Sequence, residues 1–316
     1  MKYNKLPKTY SEHVTLWQSR GLTIVDPAKS ATYFKNISYY RLSAYALQFQ
    51  EEKDKFNDGT EFKDVLNLYR FDKELRMIVF SAIEQIEVSL RSRIVHILAH
   101  KYGSHWQDNK AIFSVRQYED AQGNIKTTDV FSDTQKIIKD HYNSKHPERF
   151  IKHYKDTYSS PDNPPSWMII ELLTVGQLSR LYSGLSSKDD RKEIAKTFNL
   201  YHTIFENWIH ALTYGRNLCA HHNRFWNRDF VIQPTIPKKE LALPWISTAI
   251  TNNNRCFYFL SIVKYFLQDI NPNNNFKRDI LELIKKYPET PIKFMGINVD
   301  DDDNMFDWQN EPLWQQ

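Results

Sequence analysis

The stretch "LYRFDKELRMIVFSAIEQIEVSLRSRIVHILAHKYG", residues 68–103, decides the fold. Within it Leu68, Phe71, Leu75, Val79, Ala82, Ile86, Leu90, Ile94 and Ile97 recur every three or four residues, a spacing that gathers them on one face of an α-helix. No proline or glycine interrupts the run before Gly103. At 1.5 Å rise per residue the helix would be about 50 Å long. A helix that long with one apolar stripe must bury it against other elements, so the stretch predicts the spine of a helical bundle.

Working outward, the segment up to about Tyr33 reads as a short helical arm. Tyr33, Ile37, Tyr40, Ala44 and Leu47 continue at helical spacing, and "DGTEF" (58–62) is a turn with Thr60 as candidate N-cap. On the other side, "IFSVRQYEDAQGNIKTTDVF" (112–131) predicts a polar hairpin around Gly123, and "SSPDNPPSW" (159–167) breaks the chain. Helices are expected over 167–184, 188–198, 203–224, 246–268 and 276–287. The fold class is all-α, with at most a minor β insertion. The expected organisation is a main domain over 1–240 with a polar, basic insertion at about 105–165, a helical extension over 241–299, and an acidic tail over 300–316, expected to be disordered.

Composition narrows the function. Eight glycines and no phosphate-loop or dinucleotide fingerprint argue against a nucleotide-cofactor fold. Cys219 and Cys256 form no CxxC pair, which fits a reducing compartment without a disulfide framework. The first residues contain no apolar leader, and nowhere do 18 uncharged apolar residues run together, so the expected location is the cytoplasm, away from a membrane. The net charge of +4 hides an asymmetry: residues 300–316 hold six acids and no Lys or Arg, leaving +10 on residues 1–299. A basic body is compatible with an anionic partner.

"RNLCAHHNRFWNR" (216–228) packs three arginines, two histidines and three asparagines into 13 positions, directly after the apolar "FENWIHALTYG". Trp208, Leu212, Gly215, Cys219 and Trp226 are expected to form an apolar stripe. Asn217, His221, Arg224 and Arg228 are expected to form a polar one, flanked by Arg216. Imidazoles titrate near neutrality and can move a proton from a 2′-hydroxyl or to a leaving 5′-oxygen. Guanidinium forks hold phosphate and its transition-state charge. Asparagine orients such groups without adding charge, and Gly215 permits close approach of a backbone or ligand. The cluster has no carboxylate before Asp229, so it suits metal-free phosphodiester chemistry on RNA.

Arg216-Asn217 followed by His221 resembles the R-x4-H motif of the HEPN superfamily of ribonucleases. "SYYRLSAY" (38–45), "LYRFDKELR" (68–76), "IEQIEVSLRSRI" (83–94), "PSWMIIELLTVGQLSRLY" (165–182) and "RNLCAHHNRFWNR", in that order, are together similar to the Abi-like abortive-infection proteins of the AbiD/AbiF group over about residues 15–235. The resemblance implies a HEPN-like bundle that cuts RNA without a metal or other cofactor, leaving a 2′,3′-cyclic phosphate. It also implies a homodimer with a composite site, a role in phage defence, and restraint by a small structured antitoxin RNA. Carried onto this chain, His221 is the general acid/base, Arg216 stabilises the phosphorane and Asn217 orients.

Other residues have a plainer reading beside the functional one. His222, Asn223, Arg224 and Arg228 are either RNA contacts or a solvated surface. Lys136, Lys139, Lys145, Arg149, Lys152 and Lys155 interleave with Tyr142, Phe150 and Tyr154, a pattern of RNA-binding surfaces and of ordinary exposed helices. Glu87 and Arg91 form an i,i+4 pair beside Glu84; one acid is a candidate to orient Arg216 across the bundle. A zinc site from His210, Cys219, His221 and His222 has no common ligand spacing. The competing functions are an RNA-binding module with little cleavage and a protein scaffold, which would show no salt-dependent RNA binding.

Overall fold

The computed structural model describes residues 6–119, 122–247 and 249–315. The fold is all-α, with one two-stranded hairpin. The helices are α1 (Tyr10–Ser19), α2 (Pro27–Ile37), α3 (Tyr39–Ala46), α4 (Phe62–Tyr102), α5 (Val130–Tyr142), α6 (Arg149–Thr157), α7 (Ser166–Ile169), α8 (Val175–Ser183), α9 (Lys188–Lys196), α10 (His202–Ala220), α11 (Cys256–Ile270) and α12 (Phe276–Lys286). Strands β1 (Val115–Glu119) and β2 (Ile125–Asp129) pair antiparallel, Val115 opposite Asp129 and Glu119 opposite Ile125. None of these helices is long and apolar enough to cross a membrane.

The spine is α4, and all nine residues of its predicted stripe are buried. It stops where Gly103 takes a positive φ of 89° and its N–H closes onto the Ala99 carbonyl. The chain divides into two units, the residues up to Met77 with Arg278–Ile292, and Ile78–Lys277 with Lys293 onward.

In the first unit, α1 starts from a reciprocal cap, with the Thr9 hydroxyl accepting from Glu12 N–H and the Glu12 carboxylate from Thr9 N–H. Trp17, Phe34, Phe56 and Phe62 form its aromatic core. The expected continuous helix through Tyr33 and Leu47 is broken at Ser38, whose φ of 76° ends α2 while its hydroxyl caps α3. Tyr40 consequently faces solvent, 87% exposed. The buried Tyr45 hydroxyl donates to Asp72 at 2.5 Å, and Asp72 also pairs with Arg76.

In the second unit, α10 packs against α8, α9 and α11. Arg93 of α4 reaches Asp269 of α11 and lies over the Phe198 ring at 4.3 Å. Lys101 and Tyr102 at the end of α4 both bind Asp190, a fully buried carboxylate of α9. Three helix expectations shift. The 167–184 segment is α7 and α8, separated by a 3-10 turn and restarted by a Thr174–Gln177 capping box. The 203–224 helix stops at Ala220, and the 246–268 helix begins only at Cys256.

The acidic tail is the largest correction: its described residues, 300–315, fold against α11 through Trp308 and Trp314. Residues Cys256 to Gln268 of α11 are all buried, and part of their cover comes from the tail. Trp308, Leu313 and Trp314 are at most 2% exposed. The Trp314 ring stacks on Phe257 at 5.5 Å and its indole N–H donates to Ser261 Oγ. The six acids drew attention from these apolar anchors, whose burial outweighs the charge.

Candidate active site at the end of α10

Helix α10 buries Trp208, Leu212, Gly215 and Cys219 as expected. Gly215 is required by a close approach: a Cβ there would lie 2.1 Å from the Phe259 ring of α11. That contact turns the opposite side of the last two turns outward. Asn217 is exposed and Arg216 half-buried. The Arg216 guanidinium sits 5.5 Å from the centre of the Phe80 ring of α4, a cation–π geometry. Its Nε is enclosed and has no hydrogen-bond partner among the described residues, so a ligand meets only what the half-buried side chain leaves accessible.

The helix ends in a Schellman turn. Asn223 N–H donates to the Leu218 carbonyl at 2.9 Å and His222 N–H to the Cys219 carbonyl at 3.1 Å. His221 is the C-cap, its N–H bonded to the Asn217 carbonyl at 3.0 Å and its side chain exposed. His222, at φ 56°, occupies the left-handed position that glycine usually fills. The expected stripes therefore stop at Ala220. Arg224, Trp226 and Arg228 lie beyond the helix and share no helical face with Asn217 and His221. The missing signal is a glycine or proline: the chain makes this turn with a histidine, so nothing in its pattern announced the end.

Beyond the turn a strap runs back over the unit. Phe225 and Trp226 are fully buried, Arg224 is half-buried and Asn223 exposed. Arg228 Nε donates to the Tyr214 hydroxyl at 3.3 Å. Arg255, the residue before α11, clamps the strap by binding Asp229 at 2.8 Å, the Asn227 amide oxygen at 2.5 Å and the Phe294 carbonyl at 2.8 Å. The exposed end of α10 is the carbonyl end of the helix dipole, which disfavours an anion. A phosphate held here depends on side chains: Arg216 in the last turns of α10, His221 at its C-cap, and Arg224 and Arg228 along the strap.

The supporting residues are placed differently from expectation. Glu87 binds Arg91 at 2.6 Å, and Arg91 also donates to the Leu173 carbonyl, bracing the turn before α8. Glu84 is exposed. The α4 neighbour of Arg216 is thus Phe80, not an acid. Lys136, Lys139, Lys145, Arg149 and Lys152 are exposed on or between α5 and α6, without an ion-pair partner among the described residues. Lys155 donates to the Tyr142 carbonyl and lies over that ring at 4.0 Å. The interleaved aromatics turn inward: Tyr154 is buried, and Tyr142 and Phe150 pack on Ile138, Ile151 and Ile169. They serve packing.

Among the described residues no group of three His, Cys, Asp or Glu side chains converges as a metal site; Cys219 is buried while His210, His221 and His222 are exposed. Sequence reasoning missed Phe80 and Arg255, because neither belongs to the polar cluster and each reaches it only through the fold.

The Abi-like protein family model matches residues 32–227, more than half of the chain, a span that holds α4, α10 and the whole turn that ends at His222. No curated protein and no solved structure matches the chain significantly. By that match the chain belongs to the Abi-like abortive-infection protein family.

Proposed function

We propose that the protein is a metal-independent endoribonuclease of the HEPN type, the toxic component of a cytoplasmic abortive-infection defence, restrained by or working with a small structured RNA. The observation that carries the reading is the exposed end of α10. There Arg216, seated on Phe80, lies five residues, about 1.4 helical turns, before the exposed His221.

In the reaction a ribose 2′-oxygen bonds to the adjacent phosphorus as its proton passes to one imidazole. The bond from phosphorus to the 5′-oxygen breaks, and that oxygen takes a proton from a second imidazole. The products are a 2′,3′-cyclic phosphate and a 5′-hydroxyl. Arg216 balances the charge on the phosphorane and Asn217 orients the reacting groups. Each chain has one such motif, so the two imidazoles come from two copies facing each other across a two-fold axis. Phe80, which seats Arg216, and Val88, two helical turns further along α4, are 38% and 57% exposed and supply the apolar surface for such a pairing.

The test is cutting of RNA in EDTA by wild type and His221→Ala. Wild type cuts and leaves cyclic-phosphate ends; the variant loses at least about 100-fold of that rate with an unchanged melting curve. Equal cutting by both would reject the assignment. One observation favours a second reading, an RNA-binding module with little cleavage: the five exposed cations of α5, α6 and their connection. In that case His221→Ala keeps both RNA affinity and biological effect, and reversing the charge of Lys139 and Lys152 removes them.

A further inference from the structure

A second polar site lies at the far end of the strap that begins at His221. A cavity of about 530 Å³, a size typical of small-ligand sites, is bounded by Asp229, by the turn before α11 and by residues 293–303. Arg255 is bound to Asp229 and Lys293 to Asp303 at 2.6 Å, so the charges in the wall cancel. A phosphate finds no net positive field there. An uncharged ring with donors and acceptors does find partners, because the Asn252, Asn254 and Asn298 amides line the same cavity and each offers both kinds of group. Asn298 Nδ2 is used by the Ala249 carbonyl at 2.7 Å, leaving its oxygen as an acceptor, and Asn254 reaches Asp229 only at 3.5 Å.

The wall also carries an aromatic surface. Phe294 is 38% exposed and buttressed edge-on by the buried Trp226, with ring centres 6.2 Å apart. Gly296, at φ 96°, is what lets this turn lie against Arg255, since a Cβ there would fall 2.1 Å from the Arg255 Cβ. The cavity is therefore a built feature, with amides, a balanced pair of ion pairs and a propped aromatic ring. The eight peptide steps from His221 to Asp229 span at most about 27 Å, so its occupant can belong to a strand that also reaches His221.

We propose that this cavity receives a nucleobase of single-stranded RNA, stacked on Phe294 and read by the asparagine amides, a few nucleotides from the bond to be cut. The assignment rests on the nuclease reading for its substrate and makes the cavity the source of sequence preference.

The probe is a 2′-O-methyl RNA hexanucleotide of mixed sequence, which cannot be cut because its attacking hydroxyl is blocked. Its binding to wild type, Phe294→Ala, Asn252→Ala and His221→Ala is measured by fluorescence anisotropy, with thermal midpoints checked. Cutting of unmodified RNA in EDTA is measured in parallel. Phe294→Ala is expected to weaken binding about 5- to 150-fold, the range of one lost base stack. Asn252→Ala weakens it less and shifts which base is preferred, while His221→Ala loses cutting. Should Phe294→Ala lower the midpoint, Phe294→Leu, which keeps an apolar contact with Trp226, replaces it. Unchanged binding in both cavity variants overturns the proposal, and wild-type cutting in that experiment leaves the nuclease reading intact. Weakened binding in Phe294→Ala with no cutting by any protein supports the base cavity and rejects the nuclease. Absence of hexanucleotide binding by wild type overturns the proposal outright.

Discussion

His222 ends α10 in a conformation that L-residues rarely adopt, φ 56°. The left-handed region crowds Cβ against the following carbonyl, most severely for β-branched side chains. His222→Val should therefore be less stable than His222→Gly by about 1–2 kcal/mol, a comparison in which both variants lack the imidazole. Urea unfolding of the two proteins reads the difference; equal midpoints would mean that the turn relaxes without cost. Six residues earlier, Arg216 is held by a ring face and no carboxylate, which preserves its full positive charge for a phosphate. A carboxylate partner would have spent that charge inside the protein.

Helices α10 and α11 meet through Gly215 and Phe259 with no room for a methyl group. Gly215→Ala improves local helix propensity but overpacks this contact, and the clash wins because the ring cannot move within a buried core. The expected loss is about 1–3 kcal/mol, with reduced RNA cutting, since Arg216 is the next residue. A variant as stable and active as wild type would show that α11 yields instead. On its other side α11 depends on the tail, where Trp314 stacks on Phe257 and reaches Ser261. Trp314→Ala should cost about 3–5 kcal/mol, visible as a lower denaturant midpoint. An unchanged midpoint would return the tail to the role of an unstructured acidic extension.

At the scale of the whole molecule the proposed chemistry needs two imidazoles and each chain supplies one motif. Val88, 57% exposed on α4 two turns beyond Phe80, lies outside the motif, so Val88→Arg tests pairing without touching the chemistry. The variant is expected to sediment as a monomer, to keep the wild-type melting behaviour, and to lose cutting along with His221→Ala. Monomeric wild type that cuts RNA would remove the composite site. Mixing wild type with inactive His221→Ala adds a complementary readout: a composite site that needs both imidazoles predicts that mixed pairs are inactive, so cutting falls more steeply than the wild-type fraction.

The sequence by itself determined the spine, the all-α class, the hairpin at Gly123 and the two buried stripes of α4 and α10. Those follow from local periodicity, which burial enforces residue by residue. It also determined which residues of 216–228 carry charge, and through ordered segments such as "SYYRLSAY" and "LYRFDKELR" the family. Only the tertiary structure decided where the helices stop, because Ser38 and His222 make their breaks at positive φ without the glycine that would have marked them. It decided that Arg216 rests on Phe80, 136 residues earlier in the chain, and that Asp229 is clamped by Arg255, 26 residues later. It decided too that a tail rich in aspartate folds over α11. Such pairings depend on which surfaces packing brings together, and spacing along a chain carries no record of partners that distant.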